Sequence, residues 1–398
     1  SRINSPSAKL LKHQLSESSV TILRNSKKSV PISLIEGKRF ASISIGKEEQ
    51  NEFTRYLSKY AAFQHYALRM AGDTLSLKAK LASADVIVIG VFPYASSFVN
   101  EVAPFIRSLA RKKTVILCHF GNPKELIQWK ELPTVLAGYT DEDWIPKIAA
   151  QIVFGGMYAQ GVFPITVSDE FKEGQGLAST SLNRFSYSLP EAAGIDSKTL
   201  EQIDAIAHEA IDSGATPGSH LLVAKDGKVI YEHSAGWLTY ENKIPVTEQT
   251  IYDLASVTKV SATLQTVMFM HEKGLIDINK KASVYLPELK ESNKKDFIIK
   301  DILTHQAGLW PFLPFWAETV KDGKLLPAYY SYQTNLDYPF PVAEGIYASK
   351  VMKDSLWSWI IKAKIREKPP RTVYDYRYSD MGFYILQRLA EKILNQPI

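Results

Sequence analysis

Short runs of branched apolar residues alternate with amphipathic stretches through the first half of the chain. Residues 40–45, 86–92, 114–120 and 134–136 are strand-sized and rich in Val and Ile, as parallel strands buried on both faces are. Between them, residues 48–68, 98–111 and 124–129 carry helical spacing, and the alternation predicts a doubly wound parallel sheet. A further amphipathic helix over residues 143–154 ends at Gly155-Gly156, and residues 161–167 read as a closing strand. Residues 173–188 hold Gly, Ser, Thr and Asn without apolar period, the mark of a linker. A second pattern begins at Pro190, with a helix over residues 197–213 and two apolar runs on either side of Asp226-Gly227. Asp-Gly between such runs predicts a hairpin, because that turn needs positive φ. A long apolar helix then runs from Ser256 through Met270 to Gly274. The expected fold class is α/β, a parallel-sheet sandwich domain followed by an α+β domain, with no internal repeat.

Composition narrows this picture. With 398 residues, 45% of them hydrophobic and 22% charged, the chain can bury two ordinary cores and is not a disordered sequence. The formal net charge of +5 is spread over short runs such as Arg111-Lys112-Lys113, so no nucleic-acid partner is expected. One cysteine, Cys118, excludes an internal disulfide framework and any multi-thiolate metal site. His208-Glu209 lacks a second His four residues on, so no zinc motif and no cofactor is expected. The start, Ser1-Arg2-Ile3-Asn4, reads as a cut at a domain edge.

Candidate chemistry lies at Ser256-Val257-Thr258-Lys259. Positions i and i+3 share a helix face, so hydroxyl and amine project into one space, and a serine nucleophile needs such a neighbour. The spacing alone is common: Ser44…Lys47 and Ser292…Lys295 have it too. Only Ser256 follows an extended segment, residues 250–255, and opens a long apolar helix. Similarly, Tyr139-Thr140-Asp141 and Tyr240-Glu241-Asn242 share the spacing of Tyr378-Ser379-Asp380.

In context these blocks resemble a known family. Tyr252-Asp253-Leu254-Ala255-Ser256-Val257-Thr258-Lys259 is similar to the nucleophile motif of serine β-lactamases and penicillin-binding proteins. Leu303-Thr304-His305-Gln306-Ala307-Gly308-Leu309 resembles the Leu-Thr-His-x-Ser-Gly-Leu block of the class C β-lactamase, D,D-peptidase and esterase branch. Tyr378-Ser379-Asp380 resembles its Tyr-x-Asn motif. The resemblance implies that Ser256 is acylated, that Lys259 and Tyr378 share the proton traffic, and that the Ser256 N–H is one oxyanion donor. It makes Asp380 a substrate-binding residue in the place of the usual Asn. A carboxylate there favours charged Lys259 and shifts the general base towards Tyr378. It also makes His305 structural. The aromatic stretch from Trp310 to Phe340 reads either as a satellite cluster under a loop or as a lid over the substrate groove. The family's third motif, Lys-Thr-Gly or His-x-Gly, does not occur between Tyr378 and Ile398. The expectation is a fragment, inactive alone, of a longer protein.

The first 176 residues resemble the C-terminal α/β domain of family 3 glycoside hydrolases. The resemblance rests on residues 20–34 and on Gln151-Ile152-Val153-Phe154-Gly155-Gly156 followed by Gly161-Val162-Phe163-Pro164-Ile165-Thr166-Val167. The domains expected are therefore 1–176 of this type, a linker at 177–189, and 190–398 as the N-terminal part of the serine hydrolase. The β-N-acetylglucosaminidase branch carries its catalytic groups in a preceding barrel. That barrel and a C-terminal remainder are the implied partner segments. The fusion implies an exported bacterial enzyme acting on peptidoglycan-derived amides or esters. An esterase of the same fold, or a degenerate module that binds wall fragments without turnover, stays open beside it.

Overall fold

A computed structural model describes residues 4–142, 144–241, 243–368 and 372–398. Ser1, Arg2, Ile3, Asp143 and Asn242, all used in the sequence reading, lie outside them. Contacts group the chain into two compact units, Ser1–Thr250 and Ile251–Ile398.

The first unit is built on a six-stranded sheet. Its elements are α1 (Pro6–Ser19), β1 (Thr21–Asn25), β2 (Phe40–Ile45), α2 (Glu52–Ser58), β3 (Phe63–Leu68), α3 (Thr74–Lys80), β4 (Val86–Val91), α4 (Ser96–Ala110), β5 (Thr114–His119), β6 (Thr134–Ala137) and α5 (Ile145–Phe154). The strand order is β1-β6-β5-β4-β2-β3. All neighbours are parallel except β1, which runs antiparallel to β6. β2 and β4 are buried at every position. Alternate residues serve opposite cores: Ile87 and Ile89 meet Val102 and Ile106 of α4, while Val86 and Val88 join Phe53 of α2 and Ile148 of α5. The continuous Val/Ile runs follow from this two-sided covering.

Three expectations are corrected here. Residues 48–68 are not one helix: α2, capped by Asn51, ends at Ser58, and residues 63–68 form edge strand β3 in parallel register with β2. β3 is half-buried along most of its length, with Gln64 alone exposed, so it lacks a clean alternation and a short window cannot separate it from an amphipathic helix. Residues 161–167 form no strand. They fold against residues 171–175 through Phe163 N–H to Gln175 O and Gly174 N–H to Phe163 O, at 2.8 and 2.9 Å. β1 already occupies the sheet edge beside β6, antiparallel to it in an otherwise parallel sheet. Residues 123–129 wind as a tight 3₁₀ helix instead of an α-helix.

The remainder of this unit holds β7 (Ser186–Tyr187), α6 (Ser197–Asp212), β8 (Gly218–Lys225) and β9 (Lys228–Gly236). The hairpin turns at Asp226 and Gly227, φ 51° and 74°. β7, inside the expected linker, pairs with β9. The nearly buried Lys59 lies 2.6 Å from Glu232 and 2.8 Å from Glu248, tying the hairpin to α2. The hairpin therefore groups with the α/β layers, and the contact boundary falls beyond residues 177–189.

The second unit is mainly helical. A wide π-turn at Lys259–Thr263 leads into α7 (Leu264–Glu272), followed by α8 (Ala282–Tyr285), α9 (Ile299–Leu303) and α10 (Phe315–Thr319). Small strands β10 (Val320–Lys321), β11 (Lys324–Leu325), β12 (Tyr330–Ser331), β13 (Phe340–Ala343) and β14 (Ile346–Ala348) precede α11 (Met352–Lys362) and α12 (Asp380–Leu394). Val267, Met270, Ile299, Ile302, Ile385, Leu386 and Leu389 form the core. Gly382 lets α12 approach α9 closely, since a Cβ there would stand 2.8 Å from Ile302 Cγ2. That approach fixes the start of α12, where Asp380 sits. Among the described residues no helix is long and apolar enough to cross a membrane.

Candidate active site

Local geometry brings Ser256 to the head of its helix. The segment before it is extended and exposed, and Ala255 takes φ 41°, a left-handed value that costs a residue with a Cβ. The Asp253 carboxylate receives the Ala255 N–H at 2.8 Å and steadies the bend. The chain then turns helical, with Lys259 N–H bonded to Ser256 O at 3.1 Å, and widens into the π-turn. Such turns recur where a helix must aim side chains.

The four residues singled out by sequence meet at one point. Lys259 Nζ donates to Ser256 Oγ at 3.0 Å, and Tyr378 Oη donates to the same oxygen at 2.6 Å. Lys259 Nζ also lies 2.6 Å from Asp380 Oδ1 and 5.1 Å from the centroid of the Tyr378 ring. Burial opposes the charge on Lys259, but the Asp380 and Tyr378 contacts outweigh it and raise the amine above its ordinary pKa. The amine is therefore an ammonium at neutral pH, a donor that cannot also be the base. Chemically, the arrangement couples one hydroxyl to a phenol and a fixed positive charge within hydrogen-bond reach.

Neighbouring loops hold Tyr378 from behind. Arg377 N–H donates to His305 O at 3.0 Å, Ser379 N–H to His305 Nδ1 at 3.1 Å, and Ser379 Oγ–H to Trp310 O at 2.6 Å. Asp380 N–H reaches Pro311 O at 2.8 Å. Ala255, Ser379 and the backbone of Trp310 carried no signal in the sequence. Alanine is an unusual left-handed residue, and a backbone acceptor has no identity to read.

The look-alike motifs have other partners. Ser44 is buried in β2 and accepts from Asn51 Nδ2 at 2.9 Å, while Lys47 pairs with Asp141 at 2.7 Å. Ser292 donates to Leu289 O at 2.8 Å. Tyr139 Oη shares a hydrogen bond with Thr21 Oγ1 at 2.7 Å. Of the aromatic stretch, Phe315 and Tyr329 pack on Trp359, whereas Phe312, Trp316 and Tyr332 stand exposed. Among the described residues no group of three or more His, Cys, Asp or Glu side chains could hold a metal ion.

Residues 203–398 match the family model described as Beta-lactamase. Over 222 residues the chain is 34% identical to a putative D-alanyl-D-alanine carboxypeptidase of Salmonella agona (strain SL483), covering 52% of this chain and 45% of that protein. It is 28% identical over 221 residues to an N-acetylmuramyl-L-alanine amidase of Bacillus subtilis (strain 168), covering 52% and 44%. The chain thus spans less than half the length of either relative. A glycoside hydrolase family 3 β-N-acetylglucosaminidase from Paenibacillus sp. str. FPU-7 aligns in structure over 41% of this chain and 33% of its own, with 18% identity and a TM-score of 0.35. A likeness that slight assigns no fold.

Proposed function

We propose that the protein is a serine acyl-hydrolase with Ser256 as nucleophile, Tyr378 as general base and Lys259 as a permanent ammonium. The observation that carries this reading is the convergence of Lys259 Nζ and Tyr378 Oη on one serine oxygen, at 3.0 and 2.6 Å. Tyr378 first releases its own proton to solvent; Ser256 Oγ then attacks the carbonyl carbon and its proton passes to the Tyr378 phenolate oxygen. The adjacent ammonium stabilises that phenolate before the transfer and the oxyanion that forms with it. As the carbon–leaving-group bond breaks, Tyr378 returns the proton to the departing amine or alkoxide. Water then releases the acyl group by the same relay in reverse. Asp380 anchors Lys259 and presents its second oxygen to the substrate.

For substrate class we propose amides or esters derived from peptidoglycan, and an exported location. The carboxypeptidase and amidase names of these relatives support both. We further propose that residues 1–176 are a non-catalytic support of the family 3 glycoside hydrolase type, joined through residues 177–189 to the hydrolase module. The motifs at residues 20–34 and 151–167 support this, as does a family match that begins only at residue 203.

Fluorescent penicillin and a fluorophosphonate probe on the full-length protein test the reading. Both should label the wild type and neither should label Ser256→Ala. A folded protein that takes up neither probe would instead be a binding module. Turnover of short p-nitrophenyl esters without penicillin labelling would make it an esterase.

A further inference from the structure

One half-buried histidine at the site has no part in the proton relay, yet it touches the residues on both sides of Tyr378. His305 follows α9 with φ 57°, a left-handed position where glycine or asparagine is the unstrained choice. Its backbone oxygen takes the Arg377 N–H at 3.0 Å, and its Nδ1 takes the Ser379 N–H at 3.1 Å. Its ring lies 4.7 Å from the Tyr378 ring, 5.4 Å from Phe383 and 5.8 Å from Tyr376, centroid to centroid. Tyr378 is thus held by its two chain neighbours and by its own ring face, all through one residue.

We infer that His305 is a positioning residue for Tyr378, and that its neutral imidazole sets the Tyr378 oxygen at the distance from which, once ionised, it takes the Ser256 proton. The inference rests on the hydrolase reading above. A turn alone explains neither the imidazole nor the strain, because Gly would occupy φ 57° at lower cost. The Ser379 bond requires Nδ1 to be without a proton. Protonation would set two donors face to face and release the segment that carries Tyr378. The titratable and charged groups facing the ring are Lys259 from the π-turn, Asp380 at the start of α12, and Tyr376 and Tyr378 from the extended segment. Burial and then Lys259 push the imidazole below its ordinary pKa, against the pull of Asp380. At neutral pH the acceptor form therefore prevails, and acid removes it.

The test compares fluorophosphonate acylation and ester turnover of full-length wild type, His305→Gly and His305→Asn across acid and neutral pH. His305→Gly relaxes the turn, so a merely structural role predicts an unchanged rate. Positioning predicts a loss of about tenfold or more, in kcat rather than KM. His305→Asn tolerates positive φ and can accept the Ser379 N–H through its amide oxygen. It should restore most of the rate and flatten the acid limb seen in the wild type. Wild-type acylation with an unchanged rate in His305→Gly overturns the positioning role and leaves the hydrolase standing. An unlabelled wild type takes down both. Should His305→Gly fail to fold, the pH profile of His305→Asn decides: an acid limb identical to wild type overturns the inference.

Discussion

Replacing Asp380 with Asn probes the charge arrangement on which the choice of base depends. The carboxylate lies 2.6 Å from the Lys259 amine and helps to hold it above its ordinary value, against burial. Two unit charges at that separation attract by roughly 1.5 kcal/mol in a water-like dielectric and by several times more in a dry interior. The Asp380 side chain is 41% exposed, so the water-like end applies. Asparagine keeps the shape and removes the charge. Losing a negative neighbour disfavours the ammonium, so about tenfold more neutral amine should be present at a given alkaline pH. The assay is the rate constant for Ser256 acylation by a fluorophosphonate, followed from neutral to alkaline pH. With Lys259 acting as an ammonium, the wild-type rate declines as the amine loses its proton. Asp380→Asn should move that decline to lower pH. A decline at the same pH in both proteins would show that Lys259 is not the titrating group. A rate that rises in Asp380→Asn where the wild type falls would make neutral lysine the base, and the mechanism above would be wrong.

Two further outcomes follow from buried groups. Lys294 is fully buried, and its amine donates to Asn293 Oδ1, Ile361 O and Ala363 O at 2.8, 2.9 and 2.7 Å, closing the end of α11. Lys294→Met should lower stability by about 2 kcal/mol by removing the donor to the part-buried Ile361 carbonyl, and an unchanged urea midpoint would contradict that account. In the first unit, burial pushes the His119 imidazole down to about 4. The unfolded chain therefore binds a proton below the ordinary value of 6.5 that the folded chain refuses. The stabilisation is whole above that value and is lost as pH falls towards 4, by about 3 kcal/mol over the window. His119→Gln should remove this part of the acid sensitivity in denaturant titrations. Equal pH dependence in variant and wild type would argue against it.

The sequence alone determined the elements whose burial pattern is unambiguous. Residues 40–45 and 86–91 could be read as central strands because both of their faces are covered, and the Asp226-Gly227 turn because its conformation restricts residue choice. Chain context also set Ser256 and Lys259 apart from their look-alikes, while Tyr378 and Asp380 were picked out by the family resemblance. Tertiary structure decided the rest. Whether residues 63–68 are helix or strand depended on an open edge beside β2, and whether residues 161–167 could join the sheet depended on β1 already lying there. The 2.6 Å reach of Tyr378 to Ser256 spans 122 positions of chain. It is set by Gly382 seating α12 on α9 and by the His305 and Trp310 carbonyls and the His305 imidazole gripping the intervening segment. Local pattern encodes which face of an element is apolar. The distance between two side chains far apart in sequence depends on how those faces pack, and no window of the chain contains that information.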